Sequence, residues 1–410
     1  MKRAALCTLG VFFAVVLAAN LVLAKDYKVS AACPCAKSIT RLLTVYTNDA
    51  GFKALLDSAF ANMQQLPPQY PKGNPWLGKG IDDLASFLEK WCTFLPQISG
   101  SHDDGLKYIQ DFAWFYYQNP FGRVFVRLSP GREIMQQFVR ERGAWMNGKD
   151  SAKVVAQWLK DPRIEKEDYT LPDPKAADGG FKSYNQFFSR VLKDQAASRP
   201  QTMPERDYVI AAPTDCVMNS IPQVIGKLDT PVSTKGTEAL NIVQLLNGSK
   251  YADRFVGGTA MSCVLMPNTY HHYHSPVSGT VIEAQVIPDA FFGHPDFPHW
   301  APSNGNVGFP GADFSPFEHF QRGYFIIDTG KYGLVAMVAV GLNTISSVVF
   351  KEPFNNLTKP VAVKRGRELG YFLYGGSLFM MIFEPGRYAS GAIQVRLGNQ
   401  IGVFDTPVKK

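Results

Sequence analysis

Between about residues 40 and 160, apolar side chains recur every three or four positions, as at Ile81, Leu84, Leu88, Trp91 and Leu95, and again at Ile134, Met135, Phe138 and Val139. That spacing is the repeat of an α-helix with one face turned to a core, and it predicts a helical layer. Pro67-Pro68, Gly78, Gly80, Gly100 and Pro120 punctuate it, and the run Pro-Asp-Pro-Lys-Ala-Ala-Asp-Gly-Gly at 172–180 predicts the linker that closes it. One further helical stretch, over 184–193, leads into a different pattern. Short β-rich runs at 281–287, 324–327, 334–342, 378–383 and 392–397 are separated by Gly and Pro. The expected fold class is therefore α+β, with an N-terminal helical region at 25–179 followed by a β-rich catalytic domain at 180–410.

The first 24 residues follow neither pattern. Lys2 and Arg3 precede a mostly apolar run over 4–24, which predicts a signal peptide or, uncleaved, a membrane anchor. Either reading exports the body of the protein to a periplasmic, secreted or lumenal location, possible contact with a membrane included, and cleavage places the mature N-terminus near Lys25. Cys7 leaves with the leader, so Cys33, Cys35, Cys92, Cys216 and Cys263 remain. Five is odd, so at least one thiol stays free or pairs between chains. Cys33-Pro34-Cys35 is too tightly spaced for a zinc knuckle and points to a disulfide near the mature N-terminus.

Composition narrows the class. The 410 residues are 46% hydrophobic and 19% charged, which excludes a disordered chain. The net charge of +7 is spread without a dense Lys/Arg block, which argues against a nucleic-acid groove and allows mild attraction to anionic surfaces. The aromatic stretch at 108–126, beside Arg123 and Arg127, suits either a packed core or a lipid interface.

Three of the seven histidines fall in Tyr270-His271-His272-Tyr273-His274, with Ser275-Pro276 directly after. In an extended segment His272 and His274 share one side and His271 takes the other, whereas a turn joins His271 to His274. Such imidazoles can move protons or bind a metal. His294, His299 and His319 could complete a zinc hydrolase, but their spacing fits no metal motif, and no metal is expected. Gly375-Gly376-Ser377 stands before the apolar run at 378–383, so two permissive residues place a hydroxyl at the mouth of a buried strand.

Together these residues resemble the phosphatidylserine decarboxylase family. The resemblance rests on Tyr-His-x-x-His-Ser-Pro with x-x-Gly-Thr-Val behind it, and on the C-terminal Gly-Tyr-Phe-x-x-Gly-Gly-Ser. Phe187-Phe188-Ser189-Arg190 with Arg199-Pro200, Ala212-Pro213-Thr214-Asp215 and Val338-Ala339-Val340-Gly341 extend it over about 180–410. The chain departs from the family pattern at Cys216, where Gly usually follows the acid, and at Leu378, where Thr or Ser usually follows the serine.

The resemblance implies self-cleavage between Gly376 and Ser377, with Asp215, His274 and Ser377 as the processing triad. It implies that Ser377 becomes a pyruvoyl group, the only cofactor, and that His271 serves the substrate, while His272 is structural. A carboxylate that orients an imidazole, which in turn takes the proton of a hydroxyl, is the chemistry such a triad needs. The products are a β chain ending at Gly376 and an α chain of residues 377–410, with a homo-oligomer left open. The implied reaction turns phosphatidylserine into phosphatidylethanolamine and carbon dioxide at a membrane surface. The alternatives are a free amino acid, aromatic ones included, as substrate, or a relative that no longer processes and serves as a lipid-binding or structural protein.

Overall fold

The helical layer is built by amphipathic segments whose ends are set by local chemistry. α1 (Ala36–Asn48) and α2 (Ala50–Ala61) meet at Asp49, whose carboxylate accepts from the Phe52 N–H and so starts α2. α3 (Ile81–Cys92), α4 (His102–Tyr116), α5 (Pro120–Arg127) and α6 (Gly131–Met146) complete the main layer. Pro120 takes the first position of α5, where a missing N–H costs nothing. Asn119 before it is buried, accepts from the Gly122 N–H, and donates to the carbonyls of Ala59 and Phe115, which joins α2, α4 and α5. A Cys35–Cys92 disulfide, 57 residues apart in sequence, ties the start of α1 to the end of α3. A loop of that length is worth about 4 kcal/mol on the chain-entropy account. The expected disulfide near the N-terminus therefore exists, but Cys35 reaches α3 rather than Cys33, and Cys33, Cys216 and Cys263 are free thiols.

This is a computed structural model, and it describes residues 27–68, 70, 72–98, 102–218, 223–224, 242–288, 321–341, 348–375 and 377–389. The leader, Gly376, the run at 392–397, His294, His299 and His319 lie outside the described residues. Among the described residues no helix is long and apolar enough to cross a membrane.

The aromatic stretch at 108–126 resolves mainly into core. Phe112, Trp114, Phe115, Tyr116, Tyr117, Phe125 and Val126 are buried, while Phe121 and Val124 are exposed. Beyond α7 (Val155–Trp158), the helix expected over 184–193 is only α8 (Tyr184–Phe188). It ends because the backbone finds other partners: the Val191 carbonyl accepts from the Thr170 N–H, and the Lys193 N–H donates to the Asp168 carbonyl. Short helices α9 (Gln195–Ser198) and α10 (Ile242–Leu245) follow on either side of the first two strands.

The second half is antiparallel sheet. β1 (Val217–Met218), β2 (Gln223–Val224), β3 (Thr259–Leu265), β4 (His272–His274), β5 (Gly279–Ile287), β6 (Arg322–Asp328), β7 (Leu334–Gly341), β8 (Val348–Phe350), β9 (Val361–Val363), β10 (Glu368–Phe372) and β11 (Ser377–Phe383) form two sheets. The larger runs β1-β3-β11-β7-β6-β5-β9, with β2 also on β3, and the smaller runs β4-β10-β8. β11 lies between β3 and β7, and its two faces enter different cores. Leu378, Met380 and Ile382 join one cluster, and Phe379, Met381 and Phe383 the other. A strand buried on both faces needs no polar alternation, which is why its sequence is continuously apolar. Two residues of the β half, Tyr270 and Tyr374, belong to the core of the helical layer.

Candidate active site

The histidine segment is extended, as one of the two readings required. Tyr270, His272 and His274 stack on one side, with Tyr270 5.1 Å from His272 and 5.7 Å from His274 between ring centres. His271 turns the other way, 3.7 Å from the ring of Phe188, and Tyr273 enters the sheet core.

His274 has a defined protonation. Its Nδ1 faces the Gly366 carbonyl at 2.8 Å, which can only accept, so that nitrogen carries the proton. Nε2 is left to accept from the Tyr270 hydroxyl at 3.0 Å. Burial holds its pKa below the ordinary value, so the ring is neutral at neutral pH. His271 is more deeply buried, and burial, assisted by the Arg190 charge, holds it well below that value. Its Nδ1 has no hydrogen-bond partner among the described residues. Arg190 in turn donates to the carbonyls of Asn268 and Thr269, which fixes the approach to Tyr270.

His272 belongs to a separate brace. Nδ1 lies 2.5 Å from the Glu368 carboxylate and Nε2 2.8 Å from the Ser189 carbonyl, partners that only accept. Burial alone would raise the Glu368 pKa, but His272 and Lys351, the latter at 2.7 Å, outweigh it and hold it at about 2.

Among the described residues no hydrogen bond joins Asp215 to His274. Arg199 takes the carboxylate with Nε at 2.9 and 3.1 Å and Nη2 at 2.9 Å, and also holds Asp168 at 2.6 Å. This fork is stronger than a single bond to an imidazole, and His274 Nδ1 is already engaged by Gly366. Neighbouring backbone and side-chain bonds join the two segments: the Pro213 carbonyl accepts from the His274 N–H at 2.8 Å, and Thr214 Oγ1 donates to the Tyr270 carbonyl at 3.0 Å. Arg199 was visible in sequence only as part of the Arg-Pro pair, and nothing local marked it as the partner of Asp215. Cys216 lies against the Cys263 thiol, whose pKa that contact and burial raise well above the usual value.

Ser377 opens β11, opposite Leu265 of β3 and Gly341 of β7. Gly375 before it adopts φ +151°, which only glycine holds without strain. The register of β4 on β10 orders the histidines relative to this segment. His274 stands opposite Glu368, whereas the His271 carbonyl accepts from the Phe372 N–H, at the end of β10 that runs on to Ser377. Among the described residues, no group of three His, Cys, Asp or Glu could hold a metal ion.

Two buried neutral histidines give a pH signature. On unfolding they regain their ordinary pKa near 6.5, so below that pH the unfolded chain binds protons that the folded chain refuses. Stability is expected to be flat from pH 8 to 7 and to fall as pH drops through 6.5 toward 5. Glu368, whose folded pKa is depressed, adds a loss only below about 4.5. Melting temperature against pH checks this, and a melting temperature that rises between pH 7 and 5 would contradict it.

Residues 184–403 match a family model described as phosphatidylserine decarboxylase. The phosphatidylserine decarboxylase proenzyme of Fusobacterium nucleatum is 27% identical over 273 residues, covering 67% of this chain and 81% of that protein. Phosphatidylserine decarboxylase proenzyme 3 of Schizosaccharomyces pombe is 30% identical over 262 residues, 62% of this chain, which spans about a quarter (24%) of that relative's length. An L-tryptophan decarboxylase of Psilocybe cyanescens is 26% identical over 255 residues, 60% of this chain and 56% of that protein.

Proposed function

Because the chain belongs to the phosphatidylserine decarboxylase family, whose relatives named above are decarboxylases, we propose that it cuts itself between Gly376 and Ser377, converts Ser377 to a pyruvoyl group and decarboxylates phosphatidylserine. The observation that carries this reading is the setting of Ser377. It begins a central strand whose residues 378–383 are buried, two residues after a glycine-only backbone angle, and the strand leading to it is paired with the segment that carries the two neutral histidines.

In this reading His274, with Nδ1–H pinned on Gly366, is the base, and the Tyr270 hydroxyl stands at its free nitrogen as the proton path. The Ser377 hydroxyl attacks the Gly376 carbonyl, and the acyl group moves from nitrogen to oxygen. Loss of the Ser377 α-proton expels the Gly376 carboxylate, and hydrolysis of the resulting dehydroalanine releases ammonia. The pyruvoyl carbonyl so formed supplies a sink for the electron pair left by departing carbon dioxide. The residues present suit that group: His271, neutral and with an unpartnered Nδ1, lies at the Ser377 end of β10 and is the group to hold or return a proton at the substrate carbon.

Phosphatidylserine is supported by the family and by Phe121, Val124 and Leu128, which are exposed at i, i+3 and i+7 on one side of α5 and just beyond it. A second reading, a free aromatic amino acid, is favoured by the tryptophan decarboxylase relative and by the burial of most of the 108–126 stretch. The test offers the processed protein phosphatidylserine vesicles and a panel of free amino acids, following carbon dioxide and amine. Turnover of the vesicles is expected. Turnover of an amino acid with none of the lipid replaces the substrate and leaves the self-cleavage standing.

A further inference from the structure

The third residue before the proposed cut is tied to α8 and, through it, to the end of α6. Tyr374 is buried, and its N–H donates to Asn185 Oδ1 at 3.2 Å, with Asn185 itself bonded to Asn147 after α6. Its ring meets Tyr184 and Phe188 edge-on, each at 5.4 Å between centres. Phe188 is the ring on which His271 lies, so one aromatic shell joins His271 to the chain entering Ser377.

Behind that shell stands a costly residue. Arg142 of α6 is 1% exposed, its guanidinium carbon is 5.6 Å from the centre of the Tyr374 ring, and no carboxylate pairs with it among the described residues. Burial lowers its pKa to about 10, so it stays charged at neutral pH. Nε donates to the Trp91 carbonyl at 3.1 Å and Nη2 to the Phe94 carbonyl at 2.9 Å, at the carbonyl-rich end of α3, while Nη1 has no partner among the described residues. Cys92, between those two carbonyls, carries the disulfide to α1. An apolar side chain of similar volume fills such a place at lower cost, so this cation points to a demand for position rather than for stability.

We propose that the N-terminal helical layer is a working part of the processing site, with Arg142 as the positioning residue that fixes Tyr374 and, through it, the chain's approach to Ser377. The proposal rests on the self-cleavage reading. It makes cutting conditional on the layer being folded and on α3 being anchored by Cys35–Cys92.

The test follows release of the fragment 377–410 after synthesis of the full chain, at a temperature well below the melting point of each variant. Arg142→Met and Tyr374→Leu are expected to release it at least about tenfold more slowly than the parent, in the range of positioning effects on catalysis. Arg142→Lys, which keeps a cation near the ring, should recover part of the rate. Hydroxylamine, which cuts the ester once the acyl shift has occurred, should not restore the rate in Arg142→Met, because the shift itself is slowed. Reduction of Cys35–Cys92 should slow release in the parent. Where Arg142→Met loses its helical circular dichroism, Tyr374→Leu decides. Release at the parental rate from folded Arg142→Met and Tyr374→Leu overturns the proposal, as does full rescue by hydroxylamine. A parent chain that never releases the fragment overturns the self-cleavage reading instead.

Discussion

The Ser377→Ala protein is expected to remain one uncut chain with no decarboxylase activity. The loss should be complete, because without a side-chain oxygen there is no acyl shift, no leaving carboxylate and no carbonyl at that position. The fold should survive, since Ser377 is tied to β3 and β7 through backbone pairing that alanine preserves. Intact mass reads the outcome directly. A Ser377→Ala chain that still yields a fragment beginning at 377 ends the hypothesis, and a natural chain that is itself uncut supports the non-processing alternative. Ser377→Cys should cut slowly, because a thiol makes the same shift.

His274→Ala and Asp215→Ala are expected to block cutting, whereas His271→Ala should be cut and then turn over about 10² to 10⁴ times more slowly, the usual cost of losing a general acid or base. For His274 the reason is its prepared state, a neutral ring whose proton is committed to Gly366. For Asp215 the reason differs from a simple triad. Its carboxylate is held by Arg199, so Arg199→Met should reproduce Asp215→Ala, and both should displace the strap that carries Pro213 to His274. Mass spectra separate cut from uncut chains, and carbon dioxide release measures the rest. The register makes the reverse assignment a serious rival, because His271 is the histidine at the Ser377 end. An uncut His271→Ala beside a cut and active His274→Ala would establish it.

Periodicity carried most of the architecture. α3, α6, β5, β7 and β11 lie where the apolar repeats put them, because each buries one or both faces locally along its length. The end of α8 was not legible, since its continuation is decided by pairing with residues 168–170. Aromatic content at 108–126 suits a core and a lipid interface equally, so the choice needed the partners of Phe112 and Phe115. In the site, the residue types were legible and their wiring was not. Cys35 with Cys92, Arg199 with Asp215, and Arg142 with Tyr374 are pairs made by tertiary folding, and no local pattern encodes them.

The central place of β11 has a consequence for the life of the protein after the proposed cut. A break ahead of Ser377 leaves a 34-residue peptide (377–410) whose strand is hydrogen-bonded along both edges, to β3 and to β7. The two pieces are therefore expected to remain one particle once the proposed cut is made, but the folding problem changes order. The precursor can refold as a single chain, whereas the cut protein, once opened, must recapture a separate partner in a second-order reaction that dilution slows. Leu-Phe-Met-Met-Ile-Phe, released at 378–383, meanwhile competes by aggregating with its own kind. The mature protein is thus expected to melt irreversibly, with a working lifetime set by how rarely its sheet opens rather than by an equilibrium between folded and unfolded forms.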